Sequence, residues 1–560
     1  MKSISVFFSK PISIWLCTSM LYIVWSSFFW DTLPMSESIS FWQQVETPGG
    51  AFKIVAHPPL YPIVLSLFAS LFNSTFLSGY FVGILSVVIS GWLIVLIMMF
   101  HERNLSQNYL SVFMVLIGYY SLPIVIQGSF IYDIDNTILT PLLLLVYLTY
   151  LNFSRQPGWQ KGTLFFLALT VSFWSKLTTP YLLLFSVGFF HLIKRDFKFL
   201  FIKLIPVSLG AIILFYVSYG WLYTKFVLKG YGSFQFNSGK TWDLLSGKNT
   251  FQLSFSDLLF SVSSNIGALV VWSSPLILFV ILILILQIKK GVVRQYFSTN
   301  SSHPLAKYSV PLILIATTLI VYTVVLKIQA SAGFPKYHYP LFSFLYIIIG
   351  HRVVKSDLKF GKFELIYFPV VFLFYYFFIK DHLFPFYVLG REKQTFQLAI
   401  YLVKITVLLV LPIVLYSISK RTSILRNSSD FIFALLVFLT LANISSLASR
   451  SQADYSTNFH YGISGTEDAL DYANIIPIKY SVYFPFVGYF IRKHPDYDKS
   501  LFGRLLGDDH LKPDSNYLIM SDPMLKRNRY VFNYSYVLKK YHRIKTIKSY
   551  GVWKNKDQSE

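Results

Sequence analysis

The chain has 560 residues, of which 54% are hydrophobic, 19% aromatic and 13% charged, with a formal net charge of +23 and a mean hydropathy of +0.54. A soluble chain carries about 25% charged residues, so the composition excludes an ordinary soluble fold, and the aromatic load excludes disorder, collagen and coiled coil. What remains is a polytopic membrane protein, with the basic residues gathered in short loops where the positive-inside rule accounts for them and no nucleic-acid partner is implied.

Lys2 and Lys10 precede an apolar stretch that ends in SSFFWD with no small-residue cleavage pattern. It reads as a retained first helix rather than a cleaved signal. The single Cys17 allows neither a disulfide nor a cysteine metal site. Against the roughly 20 residues a helix needs to cross a bilayer, about thirteen spans are predicted. They lie near 11–30, 77–100, 107–127, 136–153, 162–176, 178–193, 200–223, 264–287, 309–327, 337–350, 364–379, 397–417 and 431–447.

With a cytoplasmic N-terminus, the basic loops 101–104, 154–161, 194–198, 288–295, 351–362 and 419–426 all fall inside. The outer face then receives 31–76, 128–135, 224–263, 328–336, 380–396 and everything past about 448. This assignment requires 57–74 to be a juxtamembrane helix on the outer surface, because counting it as a span would invert every later loop. Its prolines Pro58, Pro59 and Pro62 leave only a short apolar run after them.

Residues 1–447 thus form the membrane domain, with 31–76 as its first outer loop, and 448–560 a small extracytoplasmic α/β domain. That C-terminal segment holds 17 Lys/Arg and 12 of the 26 acids. TEDALDYANII (466–476) reads as an amphipathic helix, NYLIMSDP (516–523) as a strand and turn, and RIKTIKSYGVWKN (543–555) as one or two strands.

Few acids remain for the membrane domain, and an acid at a bilayer edge is costly to hold without a task. On the outer face they are Asp31, Glu37, Glu46, Asp133, Asp135, Asp243, Asp257, Asp381 and Glu392. Asp31 and Glu37 follow the first span directly, whereas Asp133 and Asp135 in FIYDIDN sit between the third and fourth. Short loops would bring both groups to one end of the bundle. The bland alternatives are solvated loop acids or, for Asp135-Asn136-Thr137, an N-cap on the fourth span. Lys176 and Lys336 have theirs as well, since lysines near span ends commonly snorkel to the interface.

The order of features resembles the GT-C membrane glycosyltransferases, in the protein O-mannosyltransferase and aminoarabinose-transferase (family 39-like) branch. The matching strings are His57-Pro58-Pro59-Leu60-Tyr61-Pro62, Asp135 within YDIDN, Ser175-Lys176 and Lys336-Tyr337-His338-Tyr339-Pro340. One string departs from the pattern: the family's Asp-Glu with an aromatic about four residues on is here WDTLPMSESISFW. Asp31 keeps the place beside the span and Glu37 keeps the spacing to Phe41.

The resemblance implies a mainly α-helical GT-C bundle in the inner (plasma) membrane. It would transfer a sugar, with inversion, from a polyprenyl-phosphate donor to a lipid, polysaccharide or protein acceptor outside. Asp31, Glu37 and Asp135 are then the candidate catalytic carboxylates. His57, Tyr61, Asp133, Lys176, Lys336 and Tyr337 are candidates for holding lipid phosphate and sugar. No cofactor is implied, no metal ligand is assigned, and a divalent metal is left open. The alternatives are a transporter or lipid-linked sugar flippase, for which no self-similar halves are visible, and a non-catalytic subunit, which the altered acidic motif would suit.

Overall fold

A computed structural model describes residues 10–27, 41, 45, 58–101, 109–226, 258, 261–262, 265, 269, 308–326, 335–354, 399–400, 403, 406–407, 440, 466–477, 480–483, 505–506, 515–521, 534–548 and 550–557. The chain divides into two compact units, Met1–Trp25 with Ser40–Ser446 and Ser26–Ile39 with Leu447–Glu560.

The larger unit is helical. Its helices are α1 (Lys10–Ser27), α2 (Leu60–Phe72), α3 (Thr75–His101), α4 (Tyr109–Tyr120), α5 (Pro123–Gly128), α6 (Leu139–Arg155), α7 (Trp159–Ser175) and α8 (Thr178–Ile193). A run starting at Phe197–Phe199 widens into a π turn at Leu200–Leu204 and continues as α9 (Ile205–Phe226). Then come α10 (Ser309–Leu319), which passes into a second π turn at Ile320–Val325, a 3-10 turn at Lys336–His338 and α11 (Tyr339–Val354).

Among the described residues two stretches are long and apolar enough to cross a membrane, Leu77–His101 and Phe197–Leu222. The second turns an apolar stripe outward: Ile202, Leu209, Ile213, Val217 and Trp221 are all more than half exposed. Helical spacing puts these side chains on one face. Such a stripe fits a bilayer and not water. In contrast, α11 is buried all along Leu341–Ile349 and packs on α3, α4, α6 and α10, so it is the axis of the bundle.

Pro58 and Pro59 open α2, where missing amide donors cost nothing. Its 13 residues span about 20 Å, well short of a crossing of about 30 Å. Asn73 ends it in the left-handed region at φ 49°, a conformation Asn tolerates, and the chain folds back so that α2 packs along α3.

Some predicted boundaries need correction. The span predicted at 107–127 is two helices broken at Ser121-Leu122, because Pro123 cannot continue the hydrogen-bond ladder of α4. The span predicted at 200–223 begins earlier, at Phe197, with the Asp196 carboxylate accepting from the Phe199 amide as its cap. The spans predicted at 364–379, 397–417 and 431–447, most of 264–287, and the loop 224–263 but for scattered positions lie outside the described residues.

The smaller unit contains α12 (Thr466–Ile475), β1 (Val482–Tyr483), β2 (Leu505–Leu506), β3 (Tyr517–Ser521), α13 (Tyr534–Lys540), β4 (Tyr541–Ile547) and β5 (Tyr550–Asn555). The sheet order is β2-β1-β3-β5-β4. The β1 strand is parallel to both its neighbours, and β3, β5 and β4 run antiparallel in turn. Leu518, Met520, Val537, Tyr541 and Trp553 fill one core, while Ala469 and Ala473 are buried a helical turn apart on α12.

Candidate active site

The turn between α5 and α6 is the most enclosed loop described. Every residue from Gly128 to Thr140 is buried, although three are ionic or amide side chains. A loop can be buried only if its polar groups are met internally, and this one folds on its own side chains. Asp133 Oδ1 accepts from the Asp135 amide at 2.9 Å. Thr137 Oγ1 donates to the Asp133 carbonyl at 2.6 Å, and Thr140 Oγ1 to the Asp135 carbonyl at 3.1 Å. The loop lies hard against α3, where Gly83 faces the Ser129 carbonyl so closely that a Cβ would overlap it. Glycine is what allows that approach.

Two lysines reach the two acids. Lys176 ends α7 in extended backbone and donates to both Asp135 carboxylate oxygens at 2.6 Å. Lys336, in the 3-10 turn before α11, meets Asp133 Oδ2 at 3.2 Å. No side chain of the four is more than 8% exposed. Between the lysines lies Tyr337, with the Lys176 ammonium 4.5 Å and the Lys336 ammonium 4.8 Å from its ring centre. Tyr322, from the π turn after α10, stacks on Tyr337 at 5.1 Å and 20°, and its hydroxyl shares hydrogen bonds with Thr178 (2.8 Å) and Thr179 (3.2 Å) at the start of α8.

Tyr61 enters from α2. It is fully buried, rests edge-on against Phe41 at 5.0 Å, and burial and the nearby Asp133 charge push its phenol well up. Burial and the charge of Asp135 push the Asp133 carboxyl up to about 7. Burial alone brings the Lys336 ammonium down to about 8. Both shifts follow from the cost of holding charge away from water.

The structure therefore brings together Tyr61, Asp133, Asp135, Lys176, Lys336 and Tyr337 of the predicted set. Asp31, Glu37 and His57 lie outside the described residues. The capping alternative for Asp135 is overturned: Ile138 occupies the cap position of α6 and no side chain caps it, because Asp135 is engaged by Lys176. The snorkelling alternative for the lysines fails likewise, since both are turned inward and paired. Tyr322, Thr178 and Thr179 were not predicted; their residue types inside apolar runs carry no mark of a polar contact. Among the described residues no group of three His, Cys, Asp or Glu side chains could hold a metal.

The site is thus an acid–lysine centre built from α2, the α5–α6 turn, the end of α7 and the turn before α11, in a helical unit that turns an apolar stripe outward. Residues 56–222, which include α2, the acidic loop and Lys176, match the family model for dolichyl-phosphate-mannose-protein mannosyltransferase. Over 97% of both chains the fold matches the crystal structure of ArnT from Cupriavidus metallidurans bound to undecaprenyl phosphate, at 13% identity and a TM-score of 0.54. The apo structure of the same protein aligns over 97% of both chains at 12% identity and a TM-score of 0.46. No curated protein matches by sequence. The chain is thus ArnT-like in fold, and the GT-C resemblance carried by its motifs holds.

Proposed function

We propose that this protein is a multi-pass inner-membrane glycosyltransferase that takes its sugar from a polyprenyl-phosphate donor and passes it, with inversion, to an acceptor on the outer face. The buried pairing of two acids with two lysines, within the segment that matches the mannosyltransferase family, is the observation that supports this reading most. The N-terminus is cytoplasmic and residues 448–560 form an outer domain in this reading.

Transfer requires a base for the acceptor proton and cations for the departing phosphate. Asp135 is a positioning residue, since both its oxygens hold the Lys176 ammonium at 2.6 Å and taking a proton would cost it that pair. The base falls to Asp31 or Glu37, of which Asp31 keeps the place beside the first span. Lys336, with His57 and the hydroxyls of Tyr61 and Tyr337, meets the donor phosphate. Asp133 and the Lys176–Asp135 pair fix the wall against which the sugar sits.

The test uses membranes containing the protein and a panel of radiolabelled polyprenyl-phosphate sugars. Label leaving the lipid fraction, and abolished in Asp31→Asn or in Glu37→Gln, would establish transfer and choose the base. Label that crosses the bilayer still attached to lipid would instead establish a flippase. No transfer from any donor by folded protein would leave the non-catalytic reading in its place.

A further inference from the structure

The four central charges cancel. Asp135 is held by Lys176 through both oxygens at 2.6 Å, whereas Asp133 offers Lys336 one oxygen at 3.2 Å and spends the other on its own turn. An incoming phosphate therefore finds no cation of this quartet without a carboxylate beside it, and burying an anion against two carboxylates is strongly unfavourable. One pair has to open, and the long single contact is the weaker of the two.

We propose that Asp133 is a displaceable counter-ion: the phosphodiester of a lipid-linked donor takes Lys336 from Asp133, and Asp133, left beside Asp135, takes up a proton from solvent. This rests on the donor reading given above. No bond between heavy atoms changes in the exchange; one O–H bond forms at the Asp133 carboxyl with a proton from solvent, which replaces the ammonium as its partner.

The surroundings of Asp133 support that direction. Among the described residues the titratable groups facing it are Tyr61 from α2, Asp135 on its own turn, Lys176 from the end of α7, and Lys336 and Tyr337 from the turn before α11. With Lys336 gone, an acid, two phenols and an already engaged lysine remain, and the neutral carboxylic acid is the stable form. The two segments that part are also those with unmet hydrogen bonding. Asn136, three residues from Asp133, and His338, two residues from Lys336, are buried with both polar side-chain atoms unpartnered.

The experiment titrates the full chain, in nanodiscs of zwitterionic lipid, with a farnesyl methyl phosphodiester that carries the donor's single fixed charge and no sugar. Calorimetry near neutral pH in two buffers of different ionisation enthalpy counts protons. Wild type should take up about half a proton per bound diester, because the Asp133 carboxyl, pushed up to about 7, is already partly protonated there before binding. Asp133→Asn should bind about fivefold tighter with the uptake abolished, and Lys336→Gln about tenfold or more weaker. Diester binding by wild type without proton uptake, or Asp133→Asn binding no tighter, would overturn the exchange and leave the donor reading standing. Failure of wild type to bind the diester at all would overturn both. Should Asp133→Asn not fold, the proton count on wild type decides alone.

Discussion

Burial pushes the Asp133 carboxyl up, to about 7, and brings the Lys336 ammonium down, to about 8. As pH falls the acid takes up a proton and Lys336 faces a neutral partner, and as pH rises the lysine gives up its charge. Affinity for an anionic donor should therefore fall in two steps as pH rises, first as Asp133 begins to compete and then as Lys336 deprotonates. Lys336→Arg should retain the first step and lose the second, because a guanidinium stays charged throughout; diester dissociation constants measured across the range check this. At Lys176 the expectation concerns stability. Lys176→Met strands a buried carboxylate and should cost on the order of 3–5 kcal/mol. Asp135→Leu combined with Lys176→Met should recover most of the thermal midpoint while transfer stays lost. The charged residues of this centre were legible in the sequence, since an acid or lysine beside a span is conspicuous. Their pairing was not: which acid meets which lysine is decided by helices as far apart as α7 and the turn before α11.

Among elements, the acidic loop depends on how closely α3 lets it approach. Gly83→Val places a branched side chain where the Ser129 carbonyl lies, and either the loop or the helix has to yield. The expected result is a fall in transfer of tenfold or more, about 1.4 kcal/mol, together with a lower thermal midpoint, whereas the same change at Gly188, which has open space around its Cβ position, should leave transfer within about twofold. The helix at HPPLYP could be read from its prolines and length, and 543–555 as one or two strands, but their pairing as a β4–β5 hairpin was not predicted. The break before Pro123 was missed, since 107–127 was predicted as one span, although a proline inside an apolar run is the signal that marks it. The π turn at Ile320–Val325 could not be read, because IVYTVV has the composition of any apolar helix.

For the whole molecule, the outward stripe on α9 separates a membrane fold from a soluble one. Ile213→Lys puts a charge at its centre, where insertion scales assign about 2.5–3.5 kcal/mol. The variant should appear in the membrane fraction at a clearly reduced level, while Ala211→Ser, on the buried side of the same helix, should not. An unchanged level for Ile213→Lys would mean that α9 faces protein or water instead. Composition and charge made this class legible at once, since half the usual charge leaves no soluble alternative.

The π turn after α10 has a bearing on how relatives are to be aligned. A π turn accommodates one residue more than the α-helical ladder around it, and each residue advances a helix by about 100°. Deleting one residue within Ile320–Val325 would rewind the segment and swing position 322 away from Thr178, Thr179 and Tyr337. A relative lacking that residue would then carry its equivalent tyrosine one place along, so an ungapped alignment would miss it. Tyr322 should accordingly be sought in other chains by its stacking partner before α11 and not by its column.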